Sequence, residues 1–375
     1  MAGREAWGRI ALFIPSLTIG GAERVTVNLA GGMAARGLDV DLVMVTSRVP
    51  TAIGDIPDRV RLIDLDAGRA LFSLPRLIGY LRRERPAALL SALEHTNVMA
   101  LLAARLAGVD TRVVVSVHTT LSRDTEDSHL LRARIFPRLV RWLYPWASGV
   151  VAVSAAARED LLITAGLEPS SVRVILNPVV TPQMFRKAAA SLSHPWFATG
   201  QPPVILGIGR MVSAKNFALL IRAFARLRRQ RVARLMILGD GELRGEMQEL
   251  ATELGITADV QLPGFSDNPY AYLSRAALFV LSSSYEGLPT VLIEALALGV
   301  PVVSTDCPSG PAEILQGGRF GELVAVGDEQ GLADAMLRAL QRPRAAEDSV
   351  AAWQPYQLDG VVRQYLELLL PDSGG

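Results

Sequence analysis

Short apolar runs alternate with stretches of helical periodicity along almost the whole chain, and the alternation stops once. In the first half, strands are expected at residues 10–14, 40–45, 88–92, 112–117, 149–153 and 172–176. Between them, helices are expected at 23–36, 74–85, 98–106, 131–144 and 155–166. Strand–helix repeats of this kind predict parallel sheets with helices on both faces. Residues 177–203, rich in Pro, Ser and Ala, interrupt the pattern. It restarts with strands at 204–207, 234–238, 260–262, 278–281 and 300–304. Helices are expected there at 217–230, 243–254, from 289, at 332–340 and near 361–369. A chain of 375 residues is too long for one ordinary core. The expectation is therefore α/β, with two doubly wound Rossmann-like domains at 1–180 and 204–352, a linker at 181–203, and a helix and tail at 353–375. Ligands of such sheets bind outside the carboxyl ends of the strands. Two facing domains would put the site in the cleft between them.

Composition removes several classes of function. The net charge of +1 argues against nucleic acid as a partner. Cys307 is the sole cysteine, so no intramolecular disulfide and no four-cysteine zinc site can form. His95, His118, His129 and His194 lack helical metal-ligand spacing. The apolar run near the start is too short for a secretory signal, and no run of about 18 apolar residues could span a bilayer. The expected compartment is the cytoplasm.

The densest chemistry follows the strand at 278–281. The stretch Ser283-Ser284-Tyr285-Glu286-Gly287-Leu288-Pro289-Thr290-Val291-Leu292-Ile293-Glu294 puts one glutamate on a strand-to-helix loop and the other inside the helix. Between them, free amides at the helix start favour an anion. Two carboxylates flanking a phosphate site suit a nucleotide-sugar, which carries hydroxyls on both sides of a diphosphate. Alone, the spacing fits equally a solvated loop glutamate and a helix glutamate at the positive end of the dipole. Gly207-Ile208-Gly209-Arg210 with Lys215-Asn216 follows the strand at 204–207. Its glycines permit close backbone approach, and Arg210 and Lys215 could converge on a diphosphate. The spacing of a P-loop is absent. Lysine occurs only at Lys187 and Lys215 in a chain that otherwise uses arginine for positive charge, which singles out Lys215. Leu238-Gly239-Asp240-Gly241-Glu242 and Pro263-Gly264-Phe265 end two further strands. Helix capping and a plain turn explain them as well as ligand contact does.

In order and spacing, these motifs resemble those of the family 4 retaining glycosyltransferases. The loop Gly20-Gly21-Ala22-Glu23-Arg24 and the run Val151-Ala152-Val153-Ser154 also look like theirs. The resemblance covers nearly the whole chain and is densest over 204–315. It implies the GT-B fold, with an acceptor-side first domain, a nucleotide-sugar-binding second domain and a C-terminal helix crossing back to the first. It also implies sugar transfer from a nucleotide-sugar, expected to be UDP-linked, with anomeric retention, no cofactor and no metal. Under the resemblance, Arg210 and Lys215 bind the donor diphosphate and stabilise it as leaving group. Glu286 contacts the donor sugar and Glu294 the ribose hydroxyls. Gly209, Gly264, Phe265 and the segment Gly287, Leu288, Pro289, Thr290 and Val291 lie against the donor. Gly20 and Gly21 approach the diphosphate from the other domain, and His118 lies near the donor sugar. The run Thr305-Asp306-Cys307-Pro308-Ser309-Gly310-Pro311 with Glu313 looks like the subset that builds surface polysaccharides and lipid-linked oligosaccharides.

Two features bear on partners. Residues 1–180 hold 21 arginines and no lysine against 17 acidic residues, a net of +4, which leaves −3 for the rest. Arg134, Arg138 and Arg141 fall on one helix face, beside Trp142 and Trp146. This surface fits an anionic membrane carrying a lipid-linked acceptor, with the enzyme peripheral on the inner face. It fits equally a solvated helix whose aromatic residues are in the core. Asp64-Leu65-Asp66 has the spacing of a metal-binding carboxylate pair but reads as a surface turn. Alternatives to a transferase are a nucleotide-sugar 2-epimerase, which would convert donor without acceptor, and a non-catalytic nucleotide-sugar-binding assembly protein.

Overall fold

A computed structural model describes residues 8–17, 21–47, 56–68, 70–118, 132–308, 310–341 and 350–371. The chain divides into two compact units, Met1–Val179 with Tyr356–Gly375, and Val180–Pro355.

In the first unit, seven parallel strands lie in the order β3-β2-β1-β4-β5-β6-β7. They are β1 Ile10–Ile14, β2 Val40–Met44, β3 Val60–Asp64, β4 Ala88–Ala92, β5 Arg112–Val117, β6 Gly149–Ala152 and β7 Val172–Val174. The described helices are α1 Gly21–Ala35, α2 Leu74–Glu84, α3 Glu94–Ala107, α4 Arg132–Leu143 and α5 Ala155–Ala165. Alternation along β1 sends Ala11 and Phe13 into one core, and Ile10, Leu12 and Ile14 into the other. The sheet is thus buried on both faces, which explains why its strands read as unbroken apolar runs.

The second unit has a six-stranded parallel sheet in the order β10-β9-β8-β11-β12-β13. Its strands are β8 Val204–Ile208, β9 Arg234–Leu238, β10 Val260–Gly264, β11 Leu278–Leu281, β12 Val302–Thr305 and β13 Glu322–Val324. Its helices are α6 Pro182–Ala188, α7 Phe217–Arg228, α8 Arg244–Glu253, α9 Pro269–Leu273, α10 Thr290–Ala297, α11 Pro311–Ile314, α12 Glu329–Gln341 and α13 Val350–Trp353. This is the order in which the chain winds outward from a central strand, returns, and winds the other way. The crevice opens where the direction reverses, between β8 and β11.

The stretch expected to link the domains, 181–203, is folded onto the second unit. Asn268 donates to the Lys187 carbonyl, and Arg275 donates to the carbonyls of Ala188 and Ala190. Residues 353–355 also belong there, with Trp353 edge-on to Phe185 at 6.5 Å. Composition marked a break in the strand–helix alternation, which is a different thing from a break in packing.

The last helix, α14 Leu358–Leu369, returns to the first unit and completes its core with Val361, Val362, Tyr365 and Leu369. It lies close to α1 because Gly32 has no side chain; a Cβ there would sit 2.7 Å from Val362 Cγ2. Truncating the fully buried Leu369 to Ala should lower unfolding free energy by about 2–5 kcal/mol in chemical denaturation. An unchanged midpoint would show that the helix adds nothing to that core.

Candidate functional site

Three loops at the carboxyl ends of β8, β9 and β10 are bonded to one another through main chain. Gly209 N–H donates to Leu238 O, Gly239 N–H to Gly264 O, and Met211 N–H to Asp240 O. The contact is so close that a Cβ on Gly239 would lie 2.0 Å from Gly209 O, and one on Gly241 2.5 Å from Met211 O. The Gly-Asp-Gly motif therefore exists to let one loop lie on the next. Asp240 does not cap α8, as a helix start there predicted; its carboxylate accepts from the Gly241 amide next to it.

The turn at 213–216 is fastened in turn to the loop after β11. Ser284 N–H donates to Ala214 O, Ser282 Oγ–H to Lys215 O, and Asn216 Nδ2 to Ser284 Oγ. Asn216 also caps α7, in a left-handed conformation with φ 45°. These bonds bring Lys215 Nζ to 2.5 Å from Glu286 Oε1. Ser283 Oγ–H donates to the same oxygen at 2.6 Å, and Thr305 Oγ1–H holds the Ser283 carbonyl at 2.6 Å. Glu286 Oε1 is thus fixed by two donors and Oε2 is left for a third. Cys307, buried beside it, has its thiol pushed up to about 11 by burial and then by the Glu286 charge.

Glu294 lies inside α10 and is only 4% exposed. Tyr270 O–H donates to its Oε1 at 3.1 Å. The amides at the start of α10 are fewer than the sequence implied. Pro289 has no N–H, Thr290 N–H closes a turn onto Leu288 O, and Leu292 N–H bonds Pro289 O. Of the amides from 287 to 291, those of Gly287, Leu288 and Val291 remain for a ligand. A Cβ on Gly310 would lie 2.5 Å from Pro289 Cδ, so the loop after β12 packs directly against this helix start. Arg210 is 75% exposed and paired with Glu242 at 3.6 Å, and the Phe265 ring is 65% exposed.

In the first unit, His118 follows β5 at the carboxyl edge of its sheet, with Nε2 3.1 Å from Ser116 Oγ. Burial pushes its pKa down to about 4. Gly21 opens α1, and Gly20 lies outside the described residues. Arg134 is on α4, but its side chain lies outside the described residues. Arg138 and Arg141 are exposed, yet the Arg141 guanidinium reaches to within 3.6 Å of a Cβ built on Gly166 and lines a cavity with Arg112, Glu168 and Arg173. Of the three arginines expected on one helix face, Arg138 and Arg141 are the two whose side chains are described. Trp142 and Trp146 are on the surface, 71% and 41% exposed, while Tyr144 is in the core.

Asp64 ends β3, accepts from the Ser47 hydroxyl and the Asp66 amide, and forms an exposed turn, as expected. The same spacing recurs at Asp39-Val40-Asp41, where it is structural: Asp41 is buried and accepts from Arg61 and Tyr80. Among the described residues, no three His, Cys, Asp or Glu side chains cluster as metal ligands.

Two sequence profiles cover most of the chain, one described as Glycosyltransferase Family 4 over residues 19–182 and one as Glycosyl transferases group 1 over 193–353. The chain belongs to glycosyltransferase family 4. A Campylobacter jejuni N-acetylgalactosamine-N,N'-diacetylbacillosaminyl-diphospho-undecaprenol 4-alpha-N-acetylgalactosaminyltransferase is 29% identical over 340 residues, 89% of this chain and 90% of that one. The lipopolysaccharide core biosynthesis glycosyltransferase LpsE of Rhizobium meliloti is 35% identical over 206 residues, 53% of this chain and 57% of its own. Anabaena HepE, solved with UDP, superposes with a TM-score of 0.76 at 20% identity, covering 96% of this chain and 99% of its own. The fold is GT-B and the protein is a glycosyltransferase.

The environment of His118 in this family 4 enzyme has a measurable consequence. Between about 4 and 6.5, the unfolded chain binds a proton that the native histidine refuses, so stability rises with pH across that window and is complete above it. On lowering the pH from 7 to 5, wild type should lose on the order of 1–2 kcal/mol more unfolding free energy than His118→Asn. A pH-independent difference between the two proteins would show an unperturbed ring.

Proposed function

We propose that this enzyme moves a sugar from a UDP-linked donor to a lipid-linked or surface-polysaccharide precursor, with retention at the anomeric carbon and without an essential metal. The observation that carries the reading is the Lys215–Glu286 pair at the β8/β11 switch point. Lys215 spends one of its three N–H donors on Glu286 and keeps the others for phosphate oxygens. Arg210, exposed on the same loop, adds a fork-shaped donor. Together they supply the positive charge that a leaving diphosphate needs, which is the work a divalent ion does elsewhere. Glu286 Oε2 accepts from a donor-sugar hydroxyl, and Glu294 from the ribose. His118 lies near the donor sugar. In transfer, the bond from the anomeric carbon to the phosphate oxygen breaks. The acceptor oxygen bonds to the same face of that carbon, and the acceptor proton passes to the departing phosphate. The undecaprenol-linked and lipopolysaccharide glycans in the relatives' names support the acceptor class, and UDP in HepE supports the nucleotide.

A thermal-shift screen of nucleotide-sugars should identify the donor, with UDP-sugars raising the melting temperature most. With that donor, Arg210→Ala and Lys215→Ala should each lower turnover by about 10²–10³-fold, and EDTA should leave it unchanged. Only Lys215→Ala should also destabilise the fold, because it strands the largely buried Glu286. Near-wild-type turnover in both variants, or inversion of the product anomer by NMR, would overturn the reading.

The acceptor reading brings the first unit to an anionic bilayer at the cytoplasmic face of the membrane. Among the described residues no helix is long and apolar enough to cross one. Trp142 and Trp146 lie 6.0 Å apart on the surface, and Arg105 sits over the Trp146 ring at 5.3 Å. Exposed indoles beside arginines suit the headgroup layer. Wild type should co-sediment with phosphatidylglycerol vesicles in low salt and be released by high salt. The triple change of Arg138 to Glu with Trp142 and Trp146 to Ala should abolish binding while leaving the melting temperature close to wild type. Equal, salt-insensitive partitioning of the two proteins would favour a soluble acceptor.

A further inference from the structure

Behind His118 lies a short chain of hydroxyl groups that begins on the C-terminal helix. Ser116 Oγ is 3.1 Å from His118 Nε2 and 3.2 Å from Tyr365 OH. Ser116 and Tyr365 are each 1% exposed, so both hydroxyls are out of contact with bulk solvent. We infer that Tyr365 and Ser116 are positioning residues that lock His118 as the Nδ1–H tautomer, making its other nitrogen a hydrogen-bond donor and not a base.

Burial pushes the Tyr365 phenol up to about 12, so it keeps its proton at neutral pH. Among the described residues, its one hydrogen-bond partner is Ser116 Oγ. A buried O–H that donates to nothing is costly, so Tyr365 donates to Ser116. Ser116 then has a single proton of its own, and among the described residues the remaining partner within reach is His118 Nε2. An imidazole nitrogen that accepts carries no proton, so the ring proton of the neutral histidine resides on Nδ1. The reverse order, with His118 donating to Ser116 and Ser116 to Tyr365, leaves the buried phenol proton without an acceptor. The ring is neutral at physiological pH because burial holds its pKa near 4.

This relay rests on the proposed place of His118 beside the donor sugar and adds a role to it. A donor nitrogen binds a hydroxyl or ring oxygen of the sugar through that oxygen's lone pair, and it does not accept a proton from the acceptor hydroxyl. It also ties the histidine to α14, the segment by which the chain re-enters the first unit.

The test is nitrogen NMR of protein labelled with ¹⁵N-histidine, read for His118 by comparison with His118→Asn. Wild type should show a protonated Nδ1 and an unprotonated Nε2 from pH 6 to 8. Ser116→Ala and Tyr365→Phe should each turn the single tautomer into a mixture of the two, both with a circular dichroism spectrum like that of wild type. A purely structural hydroxyl pair would lower the melting temperature in these variants and leave the histidine nitrogens as they were, which overturns the inference. An Nε2-protonated ring in wild type overturns it as well. Turnover of His118→Ala tests the underlying reading separately. Wild-type turnover in that variant, with an Nδ1–H ring in the parent, supports the relay and removes the histidine from sugar transfer.

Discussion

Glu286 is the residue whose burial most constrains the loops of the second unit. Its carboxylate is largely out of water, and a buried charge persists only where it is paired and hydrogen-bonded. Lys215 and Ser283 meet that demand at one oxygen. Meeting it requires the turn after β8 and the loop after β11 to be held in register, which three further bonds between those segments accomplish. The same demand restricts Lys215 to one position, so the cation is in place before any ligand arrives. Under the proposed function, pre-arranged charge of this kind would not need to reorganise during transfer.

The glycine motifs belong to the same argument one layer down. The stacked loops after β8, β9 and β10 leave no room for a Cβ at Gly239 or Gly241. Motifs that look like separate ligand contacts are therefore one piece of packing. They occur together because none of the loops can take its position without the others.

The alternation of apolar runs was enough to predict two parallel sheets, because strands buried on both faces have no other way to appear in a sequence. Lys215 and Glu286 stood out in the sequence by motif and composition, and the structure brings the two side chains together. The residues that hold them and Glu294 did not stand out. Ser283, Thr305 and Tyr270 act through single hydroxyls, and a hydroxyl in a loop or short helix carries no spacing signal. Ser116 and Tyr365 are 249 residues apart, and only the fold brings them together. The 181–203 stretch resembles a linker in composition, yet the carbonyls of Lys187, Ala188 and Ala190 accept from side chains of the second unit. Exposure of Trp142 and Trp146 was equally illegible, since aromatic residues at helical spacing serve a core and a surface alike.

The return of α14 sets an order of assembly. The sheet of the first unit is complete at β7, but one face lacks Val361, Val362, Tyr365 and Leu369 until α14 arrives. At a synthesis rate of roughly 5–20 residues per second, the second unit takes about 10–35 seconds to emerge. Throughout that interval the nascent first unit carries an uncovered apolar strip along α1, and its core closes only once α14 has been made. A ribosome that stalls or terminates within the second unit therefore leaves a first unit with a bare core, which is the form that chaperones and proteases recognise.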